Sequence, residues 1–340
     1  LHGTSSTIMP KVFDKIGYKN VLYVVEQMNP DGNFPTVKSP NPEEKEALSL
    51  GLDLAKSNNA DILIGTDPDA DRLGIAVKGL SNDYILLNGN QLMVIMIDFL
   101  LNQLKSESKL NNDQFIATTI VSTPLVSKIA KYYDIDCKLC LTGFKWIAKM
   151  VEDYPESNFL IGGEESYGIM IGDFVRDKDA ITASLFACEI ANYLKQNSSS
   201  MFNSLIDIYV KHGFYKEELM SITKKGKDGQ LEIQNIIDNF KNNPPKQIGG
   251  SEVITIDDYK KSQTLDLKTN RVSKINFPKS NVIEFNTANG TKVVLRPSGT
   301  EPKIKMYISV NIKLESKEQY FEKNDFLNNK IKSIIEEINL

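Results

Sequence analysis

Apolar and polar positions change rhythm along the 340 residues. Through the first two thirds, short continuous apolar runs alternate with stretches whose apolar residues recur every three or four positions. That alternation marks strands and helices in parallel α/β layers. Residues 20–25 (NVLYVV) predict a strand. Residues 39–57 (SPNPEEKEALSLGLDLAKS) predict a helix capped by Asn41, with Pro42 at the first helical position and Glu43 and Glu44 in the first turn. DILIGT returns as a buried strand and GNQLMVIMIDFLLNQL as a helix. Strand FIATTIV, helix PLVSKIAKYY, strand CKLCLT, helix FKWIAKMVED and strand FLIGG follow. A long helix opened by Asp179 runs to about Leu194.

Near residue 212 the rhythm changes. GQLEIQNIIDNFKNNPP predicts a helix stopped by proline. EVITI, NVIEFNT, a turn at Asn289-Gly290, TKVVLR and KIKMYISV predict a hairpin-rich mixed sheet, closed by a C-terminal helix. The expected class is α/β: two α/β sandwich domains with mixed or parallel sheets over 1–86 and 87–212, then a smaller α+β domain over 213–340.

Composition narrows the field. Hydrophobic residues make up 41% and charged residues 25%, within the range of globular proteins. A net charge of −4 supplies no global field for nucleic acid or anionic lipid. No apolar run approaches the roughly 20 residues of a membrane span. Neither nucleic acid nor membrane is therefore an expected partner. Three cysteines argue against a disulfide scaffold and for a reducing compartment, so a cytoplasmic placement is expected. Cys137 and Cys140 form a C-x-x-C, but they sit on a strand, where positions i and i+3 face opposite ways, and no second pair completes a zinc site.

Candidate chemistry gathers in four loops, each following a predicted strand, where open α/β sheets build their ligand sites. The first, GTDPDADR, spaces Asp67, Asp69 and Asp71 alternately between two apolar runs. Like charges this close raise one another's pKa, so a compensating cation is expected. Oxygen-only ligands select Mg²⁺ or Ca²⁺. Counted from Asp67, the sixth position is Arg72 and the twelfth Lys78, where an EF-hand needs Gly and Glu. A short loop with few ligands suits Mg²⁺. An acidic turn held by Asx hydrogen bonds explains one or two such residues better than three.

RPSGTEP gathers the guanidinium of Arg296, able to grip phosphate through two parallel hydrogen bonds, with Ser298, Gly299 and Thr300 as an anion nest. It is not a P-loop, because G-x-x-x-x-G-K-[ST] occurs nowhere in the chain. GGEESYG offers Glu164 and Ser166 at i and i+2 for neighbouring sugar hydroxyls, while Glu165 faces a structural contact. Downstream, Arg176 and Lys178 are cations suited to a phosphate or to proton transfer; Asp177 and Asp179 read as helix-start charges. LTGFKW supplies the fourth loop.

Together these loops resemble the α-D-phosphohexomutases, the phosphoglucomutase and phosphomannomutase family. GTDPDADR resembles its magnesium loop, GGEESYG its sugar-specificity loop, RPSGTEPKIK its phosphate loop, and TGFKW the loop reaching the sugar from the third domain. LHGTSS and DGNFPTVKSPNPEE are similar to second-domain segments of the glucose-type branch. The resemblance implies that Asp67, Asp69 and Asp71 hold Mg²⁺, with Arg72 beside the transferring phosphoryl group and Lys178 as a second catalytic group. It implies that Glu164, Ser166, Thr142, Gly143, Lys145 and Arg176 bind substrate, and that Arg296, Ser298, Gly299 and Thr300 hold the non-reacting phosphate. The substrates it implies are glucose 1-phosphate, glucose 6-phosphate and the sugar 1,6-bisphosphate. EES in the sugar loop is closer to glucose-handling members than EMS.

One departure stands out. The family's phosphoserine sits on a first-domain loop of the TASHNP type, and no such loop exists here; KSPNPEE shares only Asn-Pro. The resemblance therefore implies domains two to four of a four-domain enzyme, inactive as an isolated piece. Two rivals stand beside it. A haloacid-dehalogenase-like phosphatase would use Asp67 as nucleophile, although it wants a hydroxyl residue where Asp71 stands. A non-catalytic sugar-phosphate-binding paralogue would keep the loops without the chemistry.

Overall fold

In a computed structural model, residues 1–224, 226–299 and 301–338 are described, and they fall into two compact units, 1–208 and 209–340.

In the first unit, helices α1 (Ser5–Lys15) and α2 (Ser49–Ser57) precede a sheet of β1 (Ile62–Thr66), β2 (Leu73–Lys78) and β3 (Tyr84–Leu87). This sheet is antiparallel throughout, Gly65 facing Gly74 and Val77 facing Ile85. The alternating pattern had implied parallel layers. Only residues 67–72 join β1 to β2, and a parallel return needs a crossover of a dozen residues or more, so the short connection forces a hairpin. Helix α3 (Gly89–Ser106) opens with a capping box, Asn88 accepting from the Gln91 N–H while the Gln91 side chain accepts from the Asn88 N–H.

The second sheet follows the expected pattern. β4 (Gln114–Thr119), α4 (Leu125–Tyr133), β5 (Asp136–Cys140), α5 (Lys145–Asp153) and β6 (Asn158–Gly163) build parallel pairs in the order β5-β4-β6, edged by antiparallel β7 (Ile169–Ile171). Phe115, Phe144, Ile147 and Phe159 are buried together between this sheet and α5. At roughly 1.5–3 kcal/mol per fully buried large apolar side chain, that cluster anchors the loops at the strand ends. Helix α6 (Ala180–Gln196) starts at the expected cap: Asp179 Oδ1 accepts from the Ile181 N–H at 2.9 Å. Helix α7 (Met201–His212) runs across the division between the units.

Two expectations in the first unit fail. Residues 20–24 form no strand, and 25–27 make a short 3-10 turn. The helix expected from Pro42 begins only at Ser49. Asn41 Oδ1 accepts from the Glu43 N–H at 3.1 Å, and successive i→i+3 bonds carry the chain from Asn41 to Ser49. Pro42 lies against β2, where a Cβ added to Gly74 would come within 2.5 Å of the Pro42 carbonyl oxygen. That packing holds the segment as turns and overrides its helical pattern.

In the second unit, β8 (Phe214–Thr223), α8 (Gly226–Asn242), β9 (Gln247–Ile248), β10 (Ser251–Asp258), β11 (Gln263–Asp266), β12 (Val272–Lys274), β13 (Ile283–Thr287), β14 (Lys292–Pro297) and β15 (Lys303–Ile312) precede the closing helix α9 (Tyr320–Ile338). The strands order as β12-β11-β10-β13-β14-β15-β8, all antiparallel, with β9 on β10. No helix among the described residues is long and apolar enough to cross a membrane.

Candidate functional site

The β1–β2 hairpin turns on residues 67–72, and its shape follows from Asp67. Asp67 is 8% exposed, and its Oδ1 accepts backbone N–H groups from Asp71 at 3.0 Å and Arg72 at 2.9 Å. Ala70 takes a left-handed φ of +59° to let the chain curl back. One carboxylate oxygen each from Asp67, Asp69 and Asp71 lies within 4.8 Å of the others. Burial, together with the Asp71 and Asp69 charges and against the Arg72 N–H, pushes the Asp67 carboxyl up to about 6. Three convergent hard oxygens, one already disfavoured as an isolated anion, fit a small divalent cation with room for water or phosphate oxygens.

Cations from two directions close on this loop. Lys178 Nζ lies 2.9 Å from Asp71 and 3.5 Å from Asp177. Burial acts to lower the Lys178 ammonium, but the Asp71 hydrogen bond and charge, with Asp177, outweigh it and raise the group. Lys178 therefore stays protonated near neutral pH. Arg72 donates from Nη1 to Glu43 at 2.9 Å, with its Nε 3.8 Å from Asp67 and 3.9 Å from Asp71. Glu43 was read only as a first-turn residue; it lies 29 positions from Arg72, and no local pattern links the two.

The sugar loop is tied to the same place. Arg72 forms an isolated bridge with Gly168, and the Leu73 N–H donates to the Tyr167 carbonyl at 3.0 Å. The first residue of α6, Ala180, donates its N–H to the Ala70 carbonyl at 3.0 Å. Glu164 is buried, and its Oε1 accepts the Gly143 N–H at 2.8 Å, so the 141–146 loop and the 162–168 loop are joined directly. Phe144, unnoticed in the sequence, carries the Lys178 ammonium 5.5 Å from its ring centroid. Glu165 points away: its carboxylate accepts from Thr119 Oγ1 at 3.3 Å and Ser122 Oγ at 3.2 Å, and burial pushes it up. That is the structural contact expected for it.

Thr142 and Ser166 are half-buried, and Lys145 and Arg176 are exposed. Burial pushes the Cys137 thiol up to about 11 and the Cys140 thiol up to about 12, which disfavours the thiolate in both.

In the second unit, the 298–302 loop joins β14 to β15. Arg296 sits directly opposite Lys305 in the antiparallel pairing, and Lys303 shares their face. Like charges directly opposite disfavour a sheet unless an anion lies between them. At Ser298, the backbone N–H donates to the Lys303 carbonyl at 2.7 Å, and Oγ accepts from the Glu301 N–H at 3.2 Å. Gly299 is exposed at the loop tip. Thr300 lies outside the described residues.

Residues 1–80 match the family profile "Phosphoglucomutase/phosphomannomutase, alpha/beta/alpha domain II", and residues 88–209 match the corresponding domain III. The chain belongs to the phosphoglucomutase/phosphomannomutase family. A phosphoglucomutase of Staphylococcus epidermidis is 39% identical over 312 residues, covering 92% of this chain and 56% of its own length. One from Staphylococcus aureus is 38% identical over 311 residues, 91% of this chain and 55% of its own. The chain thus spans about half the length of the curated relatives it matches. Among solved structures, parafusin, a phosphoglucomutase of Paramecium, aligns with TM-score 0.65 at 18% identity over 98% of this chain and 56% of its own. A family protein of Burkholderia thailandensis aligns at 0.63 and 16% identity over 98% of this chain and 59% of its own. These two likenesses speak for the fold.

Proposed function

We propose that the protein carrying this chain interconverts hexose 1-phosphate and hexose 6-phosphate, with glucose phosphates as the preferred pair, through a phosphoserine and a sugar bisphosphate. The observation that carries the reading is the junction of metal loop and sugar loop: Arg72 bridges to Gly168, and Lys178 links Asp71 to the Phe144 ring beside Glu164 and Gly143.

Asp67, Asp69 and Asp71 would hold Mg²⁺, which when bound offsets charge on the transferring phosphoryl oxygens. Arg72, oriented by Glu43, presents its remaining donors to the same group. Lys178, kept protonated by Asp71, donates a proton or hydrogen bond to the sugar oxygen that loses its phosphate. Glu164, fixed by the Gly143 N–H, accepts from sugar hydroxyls with Ser166. Within the second unit, Arg296, with Lys303 and Lys305 on its face, is the group suited to gripping a phosphate that is not reacting.

The serine that carries the phosphoryl group lies outside these 340 residues on this reading, because no TASHNP-type loop occurs in them. The chain alone then binds glucose 1,6-bisphosphate weakly and turns nothing over. The test is a coupled mutase assay on the intact protein and on the 340-residue chain. Activity from the intact protein alone is expected. Full activity from the shorter chain refutes the external serine, and an intact protein that binds hexose phosphate without converting it refutes the mutase.

A further inference from the structure

The sugar loop turns on a residue that its backbone does not favour. β6 ends at Gly163 and β7 begins at Ile169, and the Glu164 N–H donates to the Gly168 carbonyl at 2.9 Å to close the turn between them. Within that turn Tyr167 takes a left-handed φ of +67°. Glycine and asparagine adopt such a φ readily, whereas a bulky aromatic residue there is strained. The glycine beside it serves another need: a Cβ on Gly168 would come within 2.4 Å of Lys178 Cδ.

Several contacts hold Tyr167 where it is. Its carbonyl accepts the Leu73 N–H at 3.0 Å, and the residue after it bridges to Arg72. The start of α3 presses from a third direction, where a Cβ on Gly89 would lie 2.8 Å from the Tyr167 nitrogen. A strained residue persists only where its surroundings over-determine it, and such residues concentrate at functional sites.

The side chain supplies a reason for the strain. Tyr167 is 7% exposed, so its ring is buried. Its phenol is pushed up by burial first and then by the charge of Glu43, which puts that carboxylate close to the ring. Glu43 is the group that accepts from Arg72 Nη1 at 2.9 Å. Tyr167 therefore meets Arg72 by two routes, through the backbone pairing at Leu73 and Gly168 and through Glu43.

We propose that Tyr167 is a positioning residue, its buried ring set beside Glu43 so that the sugar loop and the Arg72 guanidinium keep one geometry. The inference rests on the reading of Arg72 as the group that meets the transferring phosphoryl group. The left-handed backbone is tolerated because it places an aromatic ring at a turn that glycine would otherwise occupy.

The test compares Tyr167→Asn, which suits the left-handed backbone but lacks the ring, with Tyr167→Phe, which keeps the ring. NMR of the 340-residue chain follows the Nε–H signals of its arginines, Arg72, Arg176, Arg271 and Arg296, with Arg72 assigned through Arg72→Lys. Tyr167→Asn is expected to speed hydrogen exchange at Arg72 Nε about tenfold or more, toward the rate of exposed Arg176, while Tyr167→Phe stays near the wild type. Unchanged exchange in Tyr167→Asn, or an equal rise in both variants, overturns the proposal.

Steady-state kinetics of the intact protein with glucose 1-phosphate give a second readout. Tyr167→Asn should lower kcat about tenfold or more with little change in KM. Adding Glu43→Gln should slow it little further, because both residues act through Arg72. Additive losses, or a Tyr167→Asn protein that melts earlier but keeps its kcat, overturn the positioning role. If the intact protein converts no hexose phosphate, the mutase reading falls, and the exchange rates alone decide whether Tyr167 holds Arg72.

Discussion

Replacing Asp67 with alanine and with asparagine separates the two tasks assigned to that side chain. Alanine removes the acceptor for the Asp71 and Arg72 N–H groups, at 3.0 and 2.9 Å. Each donor left dry costs about 1–3 kcal/mol, so two set an upper range of about 2–6 kcal/mol. Water reaches this half-buried loop, which puts the expected loss for Asp67→Ala at about 2–3 kcal/mol. In a unit of 208 residues that is a fall of roughly 5–10 °C in melting temperature. Asparagine keeps the Oδ1 acceptor and discharges a carboxyl that burial and the neighbouring aspartates already push up to about 6. Metal-free Asp67→Asn is therefore at least as stable as the wild type.

The metal response behaves differently. At one hundred times its dissociation constant, a ligand of the folded state alone adds about 2.7 kcal/mol. Differential scanning fluorimetry with and without magnesium should show that gain in the wild type and in neither variant. If Asp67→Asn keeps the magnesium shift, or if Asp67→Ala is no less stable than Asp67→Asn without metal, the account of the loop is wrong.

Four other outcomes follow from specific contacts. Gly89→Ala places a Cβ 2.2 Å from the Glu165 carbonyl oxygen, backbone that cannot step aside; chemical denaturation should show a loss of about 1–3 kcal/mol, with weaker sugar-phosphate binding. Glu43→Gln removes the charge that orients Arg72, and the intact protein should lose kcat while retaining most of its affinity for hexose phosphate, as steady-state kinetics would show. Glu284 is pushed up, mainly by burial, so its folded state holds a proton that the unfolded state releases near pH 4.5. Stability from this group is full below that pH and falls as pH rises toward the folded value, so Glu284→Gln should gain on the wild type from about pH 5 upward in urea titrations. Cys137 and Cys140, with thiols pushed up to about 11 and 12, should resist a thiol reagent at pH 8 until the chain is unfolded.

Several features were legible from local sequence because local chemistry dictates them. The three aspartates converge because they share one tight loop between two apolar strands, and Asp179 caps α6 because its carboxylate reaches a backbone N–H two residues on. The strands and helices from β4 to β6 follow apolar runs and helical spacing that had no competing partner. Cys137 and Cys140 both lie on β5, as their apolar surroundings in the sequence imply.

Other features depended on residues far apart in the chain. Pairing in β1–β3 was set by the length of their connections and not by their apolar composition, which reads alike in parallel and antiparallel strands. The helix signals at Asn41 and Pro42 were genuine but yielded to packing against Gly74, 32 positions away in the numbering. Residues 20–25 have strand composition, but a strand exists only when a neighbour takes its hydrogen bonds. Glu43 beside Arg72 and Phe144 beside Lys178 were invisible for the same reason: periodicity reports which face of an element is apolar, and only the folded chain decides which faces meet.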